Sequence, residues 1–507
     1  MISAAITPRG SALSSRAIAL GTIAAIAAST LIAMRAMASQ NMMLVIVAVI
    51  AIPLAIAMIA WPEMATLAVI FILFTNAADV AEEFHGVPYL VAASFPLLLC
   101  VPLFYYLVAR REQFILPRVL PLICVFALIQ FVGALFSKDV SLAIPGLLSF
   151  LLEGLAVYVL LTNVIRTPKL MRQVIWVLLI AGLFAGALSF YQQVTRTFHD
   201  TYGGFAQMTS RGFDDLSGLA ANRQYRLAGP IGEQNRYAQI MLMLLPLGLF
   251  RCWNERSIWL RAVAGVASAF VAVGIVLTFS RGAAIGCGVL ILIMVYMRYI
   301  TARQLGLILL GGIVMLAAFP GFLSRLASLH PLLNLHAQLS DATADADGAV
   351  RGRATAMLTA AMVCADNPLI GVGPNMFRFH YKDYARLVGP RYQDGNWQAH
   401  NLYLGIAADN GILGLLCFLA IIFVTLRDLV RVHSRWAQSD PELAKMSIAV
   451  MLAIVAYLVT GMGLHFAYVR YFWLFMALAG ALSTMSDRAA RVQTAEAYTR
   501  IEEDERR

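Results

Sequence analysis

Residues 258–296 read IWLRAVAGVASAFVAVGIVLTFSRGAAIGCGVLILIMVY. Two apolar runs, read as spans at 258–279 and 282–299, reverse direction at the tight turn Ser280-Arg281-Gly282. At about 1.5 Å of rise per residue, each run as a helix is long enough to cross about 30 Å of hydrocarbon. The same signal recurs at 17–36, 42–60, 64–79, 89–108, 119–137, 142–164, 173–192, 233–250, 304–322, 402–425, 446–463 and 468–485. The total is about fourteen spans. Apolar residues make up 60% of the 507 and charged residues 13%, with a mean hydropathy of +0.76. A soluble domain carries roughly a quarter charged residues, so this composition is written for lipid. The expected fold class is all-α, a polytopic membrane helix bundle with one large extracytoplasmic loop.

Loop charge orients the bundle, because short cytoplasmic loops collect Lys and Arg. Arg9 and Arg16 precede the first run; Arg110, Arg111 and Arg118 follow the fourth; Arg166, Lys169 and Arg172 follow the sixth. Arg251, Arg256 and Arg261 follow the eighth, Arg298 and Arg303 the tenth, and Arg427, Arg431, Arg435 and Lys445 the twelfth. These loops fall on alternate sides throughout, which places both termini in the cytoplasm. Arg9, Arg16 and Ala36-Met37-Ala38 also fit a cleaved signal peptide, but the apolar run is long and Arg35 abuts the site, so retention is expected.

The chain divides into N-terminal spans at 1–118, central spans at 119–322 with a polar outer loop at 193–232, a large outer loop at 323–400, C-terminal spans at 401–486 and a charged tail at 487–507. Within the large loop, 350–366 reads as an amphipathic helix with Met357, Leu358, Ala361 and Met362 on one face, lying along the membrane surface. The tail reads as disordered beyond a short helix. No internal repeat is visible, which counts against an inverted-repeat transporter.

The net charge of +10 comes from dispersed arginines rather than a basic patch, which excludes a nucleic-acid partner. Six cysteines show neither a CxxC pair nor a disulfide framework, and the histidines show no ligand spacing, so neither a metal site nor a cofactor is expected.

Three places put cations or a titratable ring at the outer surface. They are Arg226-Leu-Ala-Gly-Pro230 followed by Glu233, Asn235 and Arg236; Ser280-Arg281-Gly282; and His400-Asn401. Ionisable groups at membrane depth mark functional sites by default. The plain alternative for Arg281 is an anchor snorkelling to water, and for His400 a capping or buried histidine.

Together these strings resemble a family. RLAGPIGEQN, LTFSRGAAIG, NPLIGVGPNMF (367–377) and AHNLYLGIAADNGILGLL (399–416) resemble the signature blocks of the O-antigen ligase and O-antigen polymerase superfamily, in its order, over roughly residues 120–485. The resemblance implies a metal-independent, inverting glycosyltransferase in the bacterial inner membrane, with its active site facing the periplasm. The implied donor is a glycan on undecaprenyl diphosphate, and the acceptor is lipid- or glycan-linked. By motif position it implies Arg226 and Arg281 as donor-diphosphate ligands and His400 as the catalytic base. Guanidinium groups can stabilise a departing diphosphate, and a neutral imidazole can take a proton from a sugar hydroxyl. Arg351, Arg353, Glu233 and Asn401 are possible supporting residues, and Glu153 a further acid that could orient the site. Where the family often carries Glu, this chain has Asp409, read as a cap only.

The span count favours a polymerase of surface or extracellular polysaccharide over a ligase to the lipid A core; a protein O-oligosaccharyltransferase is a third enzymatic alternative. Membrane lipids, a flippase and a chain-length regulator are the expected partners. A lipid-linked oligosaccharide flippase is the rival of another class, but it would carry its charges deep in a central cavity rather than at the outer rim.

Overall fold

The structure is a computed structural model that describes residues 60–213, 224–319, 346–388, 397–467 and 469–505. The expected spans 17–36 and 42–60 lie outside the described residues. Packing divides the chain into two compact units, residues 1–69 with 96–114, and residues 70–95 with 115–507. In the first unit, a π turn spans Tyr105–Ala109, and Arg110 Nε donates to Tyr105 Oη at 3.0 Å just beyond it. All the candidate residues above belong to the second unit.

Among the described residues, six helices are long and apolar enough to cross a membrane. They are Val91–Ala109, Val140–Val164, Pro168–Thr195, Ile258–Leu277, Leu402–Trp436 and Pro441–Gly463. The pair Pro62–Phe74 and Ala77–His85 makes a possible seventh, bent at Asn76. The expected count of fourteen is not confirmed among the described residues. Leu120–Leu135, Arg281–Tyr296 and Ala302–Ala318 are apolar but shorter. Gln234–Asn254 is a helix wrapped by its neighbours, with Arg236, Gln239 and Arg251 buried in it. A helix that faces protein on all sides does not need a lipid-grade composition. The Val469–Glu505 helix likewise begins in the core with Tyr471, Phe472 and Trp473 fully buried. It then runs on to Glu505, so the segment read as a largely disordered tail is helical.

Local chemistry sets the helix ends. Thr167 and Asp440 accept from backbone amides of the first turn, and Pro168 and Pro441 occupy the first helical positions, where a missing N–H costs nothing. Close approach rests on small residues, as membrane helix packing requires. A side chain at Gly186 would meet Phe270 O at 2.2 Å, and one at Gly248 would meet Ser268 Oγ at 2.3 Å.

Ion pairs gather the basic loops at one end. Arg118 pairs with Asp428 and Asp487, Arg172 with Glu255, Arg251 with Glu255 and Glu442, and Arg435 with Asp487. Tyr299 packs against His433 in the same region. The loops assigned to one face by their charge therefore touch one another.

At the other end, the polar outer loop forms a two-stranded antiparallel ribbon, β1 (Gln207–Phe213) and β2 (Gln224–Gly229), where only a loop was expected. Asn76 Nδ2 donates to Pro230 O at 2.9 Å, and the His85 ring contacts Gly203 O, so the Ala77–His85 helix buttresses this loop. In the large loop, Ala346–Asp366 and Phe377–Val388 are helices. Leu358, Ala361 and Met362 share an exposed face as expected, but the helix is held by another one. Ala356, Ala360 and Val363 pack with Phe377, Tyr381, Ala399 and Ala408.

The Leu402–Trp436 helix is broken at Gly411 (φ 68°, ψ −173°), a conformation open essentially to glycine alone. The segment Asn367–Gly373 fills the break. Val372 N donates to Ala408 O (3.0 Å), Gly373 N to Asp409 O (2.9 Å) and Ile412 N to Pro368 O (2.7 Å). Irregular backbone at membrane depth survives only where protein satisfies it in this way.

Candidate functional site

Three helix starts meet at the end away from the basic loops. Glu233 caps Gln234–Asn254, accepting from Asn235 N (3.0 Å) and Arg236 N (2.8 Å). Ser280 caps Arg281–Tyr296, accepting from Ala283 N at 3.4 Å. Asn401 caps Leu402–Trp436, accepting from Tyr403 N (2.9 Å) and Leu404 N (3.0 Å), while its Nδ2 donates to Met462 O at 3.0 Å. Phe279 (φ 52°) and His400 (φ 49°) both adopt the left-handed conformation just before a cap, so the chain turns sharply into each helix. Helix N-termini carry partial positive charge and attract anions.

Arg226, on β2 opposite Thr209, links two of these starts. Its Nε donates to Thr278 O at 2.8 Å and its Nη2 to Asn235 Oδ1 at 2.9 Å. Arg281 opens its helix with Nε buried and without a hydrogen-bond partner. Arg353, exposed on the Ala346–Asp366 helix, lies within electrostatic reach of both Arg281 and His400. The side chain of Arg351 lies outside the described residues. His400 packs between the rings of Trp397 (6.1 Å) and His465 (6.0 Å). Burial lowers its pKa to about 4, aided by the Arg353 and Arg236 guanidiniums and opposed by Glu233. The imidazole is therefore neutral at pH 7 and free to accept a proton.

Arg236, noted above without a role, and His465 complete the arrangement. Arg236 is buried and donates to Gln239 Oε1 (3.0 Å) and His465 O (2.7 Å). His465 Nδ1 is buried without a hydrogen-bond partner, and burial with the nearby Arg236 and His400 holds that ring well below the usual histidine range. Arg236 follows Glu233 by three positions, and an arginine at the start of an apolar helix was the available signal. His465 gave none.

Asp409 binds backbone. Its Oδ1 accepts from Phe377 N at 2.8 Å, with Asn375 and Met376 amides adding to it, so it caps Phe377–Val388 across the break rather than its own helix. Glu153 belongs to a separate ionic group, on a π turn at Phe150–Ala156 with its Oε2 4.0 Å from Arg470, which also pairs with Asp79.

Arg353, Arg236 and Glu233 thus act on one neutral histidine, Arg281 lies within reach of Arg353, and Arg226 joins Asn235 to the turn at Thr278. Such a set can hold a polyanion beside a base. Residues 236–419 match the family model described as O-antigen ligase. This stretch is similar to an O-antigen ligase domain. The match supports the O-antigen ligase and polymerase superfamily, whose members act in membrane glycan processing. The matched stretch contains Arg236, Arg281, Arg353, His400 and Asn401, while Arg226 and Glu233 stand just ahead of it. No match to a curated protein is found.

Proposed function

We propose that this protein is a glycosyltransferase of the bacterial inner membrane that passes a glycan from an undecaprenyl-diphosphate-linked donor to a sugar hydroxyl. The transfer inverts the anomeric carbon, needs no metal ion and occurs on the periplasmic side. The observation that carries this reading is the gathering of arginines and helix N-termini around His400, at the end away from the basic loops. Arg226 and Arg281 bind the donor diphosphate, Arg353 reaches it from the outer loop, and Asn401 fixes the turn that presents His400. As the anomeric bond breaks, negative charge grows on the leaving diphosphate, and preset guanidiniums stabilise it. His400 removes the acceptor hydroxyl proton as that oxygen attacks the opposite face. Polymerisation of repeat units and ligation to the lipid A core share this step and differ in the acceptor.

Purified protein in vesicles, given a lipid-linked donor in excess chelator, should transfer glycan to either a second lipid-linked repeat or a lipid A core. The acceptor used names the role. Complete loss of transfer that magnesium or manganese restores would remove the metal-free mechanism.

A further inference from the structure

At the end of the bundle away from His400, a cleft of about 520 Å³ is walled by Arg118, Arg435 and Arg491. Its floor is one face of the Val469–Glu505 helix, where Asp487, Ala490, Arg491 and Thr494 recur at helical spacing. The small side chains leave the room; the arginines supply the charge. Asp487 already shows what the cleft accepts. Its carboxylate lies between Arg118 Nη2 at 2.9 Å and Arg435 Nη1 at 3.4 Å, as the oxygens of a phosphate would. The lining carries three guanidiniums against this one carboxylate, and Asp428, 3.8 Å from Arg118, is matched by Arg431 at 3.0 Å, so positive charge remains for a further anion. The side chains of Arg118 and Arg435 are 51% and 40% exposed. Beside them stand exposed apolar residues, Leu116 at 73% and Val492 at 53%. A free phosphate has no use for those; a phosphate with acyl chains does.

We propose that this cleft binds the phosphate of an anionic phospholipid headgroup, with acyl chain lying against Leu116 and Val492. Basic pockets at the ends of membrane helices recognise such headgroups, each arginine contributing about fivefold in affinity. The site tethers the ends of the Leu402–Trp436 and Val469–Glu505 helices to the lipid surface, and it is independent of the chemistry proposed at His400.

The test uses the full chain, purified in neutral detergent, with bound phosphatidylglycerol measured by native mass spectrometry against phosphatidylcholine. Wild type should retain phosphatidylglycerol selectively, and R118Q/R435Q/R491Q should lose about 100-fold in affinity. D487N should bind severalfold tighter, because a competing carboxylate is gone. That gain separates a ligand site from a purely structural ion pair, whose removal would give no gain. It also keeps the test decisive if the triple variant does not fold. Undiminished lipid binding in the triple variant, no gain in D487N, or equal displacement by inorganic phosphate would each overturn the proposal.

Discussion

The field around His400 makes a prediction about pH. Burial first, and then the Arg353 guanidinium, hold its pKa at about 4. At pH 6 only about 1% of such a ring is protonated, against about three quarters of an unperturbed histidine. With His400 as the proposed base, acting in its neutral form, the acid limb of kcat/KM should fall near 4 in the free enzyme. A bound diphosphate brings negative charge against the same arginines, so the limb of kcat should lie higher. Arg353→Gln should move the kcat/KM limb up toward 6.5, because it removes a charge that opposes protonation. Stability must be followed alongside. The unfolded ring takes up a proton near 6.5 and the folded ring only near 4, so folding weakens as pH falls through that window, by about 1.4 kcal/mol per unit. Initial rates of glycan transfer between pH 3.5 and 8, on protein shown to remain folded, decide the matter. A free-enzyme limb at 6.5 or above, or an unchanged limb in a residually active His400→Gln variant, would show that another group titrates.

Three further outcomes are expected. Arg281→Lys and Arg226→Lys should each lower kcat/KM by about 100-fold on folded protein, since an ammonium cannot reproduce a two-pronged guanidinium contact; radiolabelled transfer measures it. Arg236→Lys should cut kcat about tenfold while donor KM moves little, because Arg236 binds the His465 carbonyl and acts on the chemistry through the neighbouring rings; unchanged kcat would refute this. Gly411→Ala should destabilise the protein by about 3 kcal/mol or more, as a Cβ there would lie 2.2 Å from Leu369 O at a backbone angle alanine avoids, and a melting curve tests it.

The membrane character was legible because lipid imposes it on long stretches at once, and Ser280-Arg281 and His400-Asn401 were legible because capping residues precede their helices by one position. Other features depend on partners far away in sequence. His465 reaches His400 across 65 positions, and no spacing rule connects them. Asp409 looked like a local cap and serves Phe377 instead. Arg226 lies on a ribbon whose polar, short strands carry little alternation. The Ala346–Asp366 helix is apolar on two faces. Pattern alone cannot tell which of these meets protein, because lipid and core ask for the same side chains. The span count is open to the same ambiguity among the described residues. Enclosed helices such as Gln234–Asn254 look apolar without being built to face lipid.

The break at Gly411 sets how a substrate as long as a lipid-linked glycan can enter. Were Asn367–Gly373 to swing outward, the carbonyls of Ala408 and Asp409 and the amides of Ile412 and Leu413 would be left bare. Each bare group in an apolar setting costs roughly 1–3 kcal/mol. This part of the large loop therefore behaves as a fixed wall, and room for a long substrate must open elsewhere. It also makes the wall and the broken helix a single inherited unit. A chimaera that exchanges the outer loop between relatives should fold only when residues 408–413 travel with it.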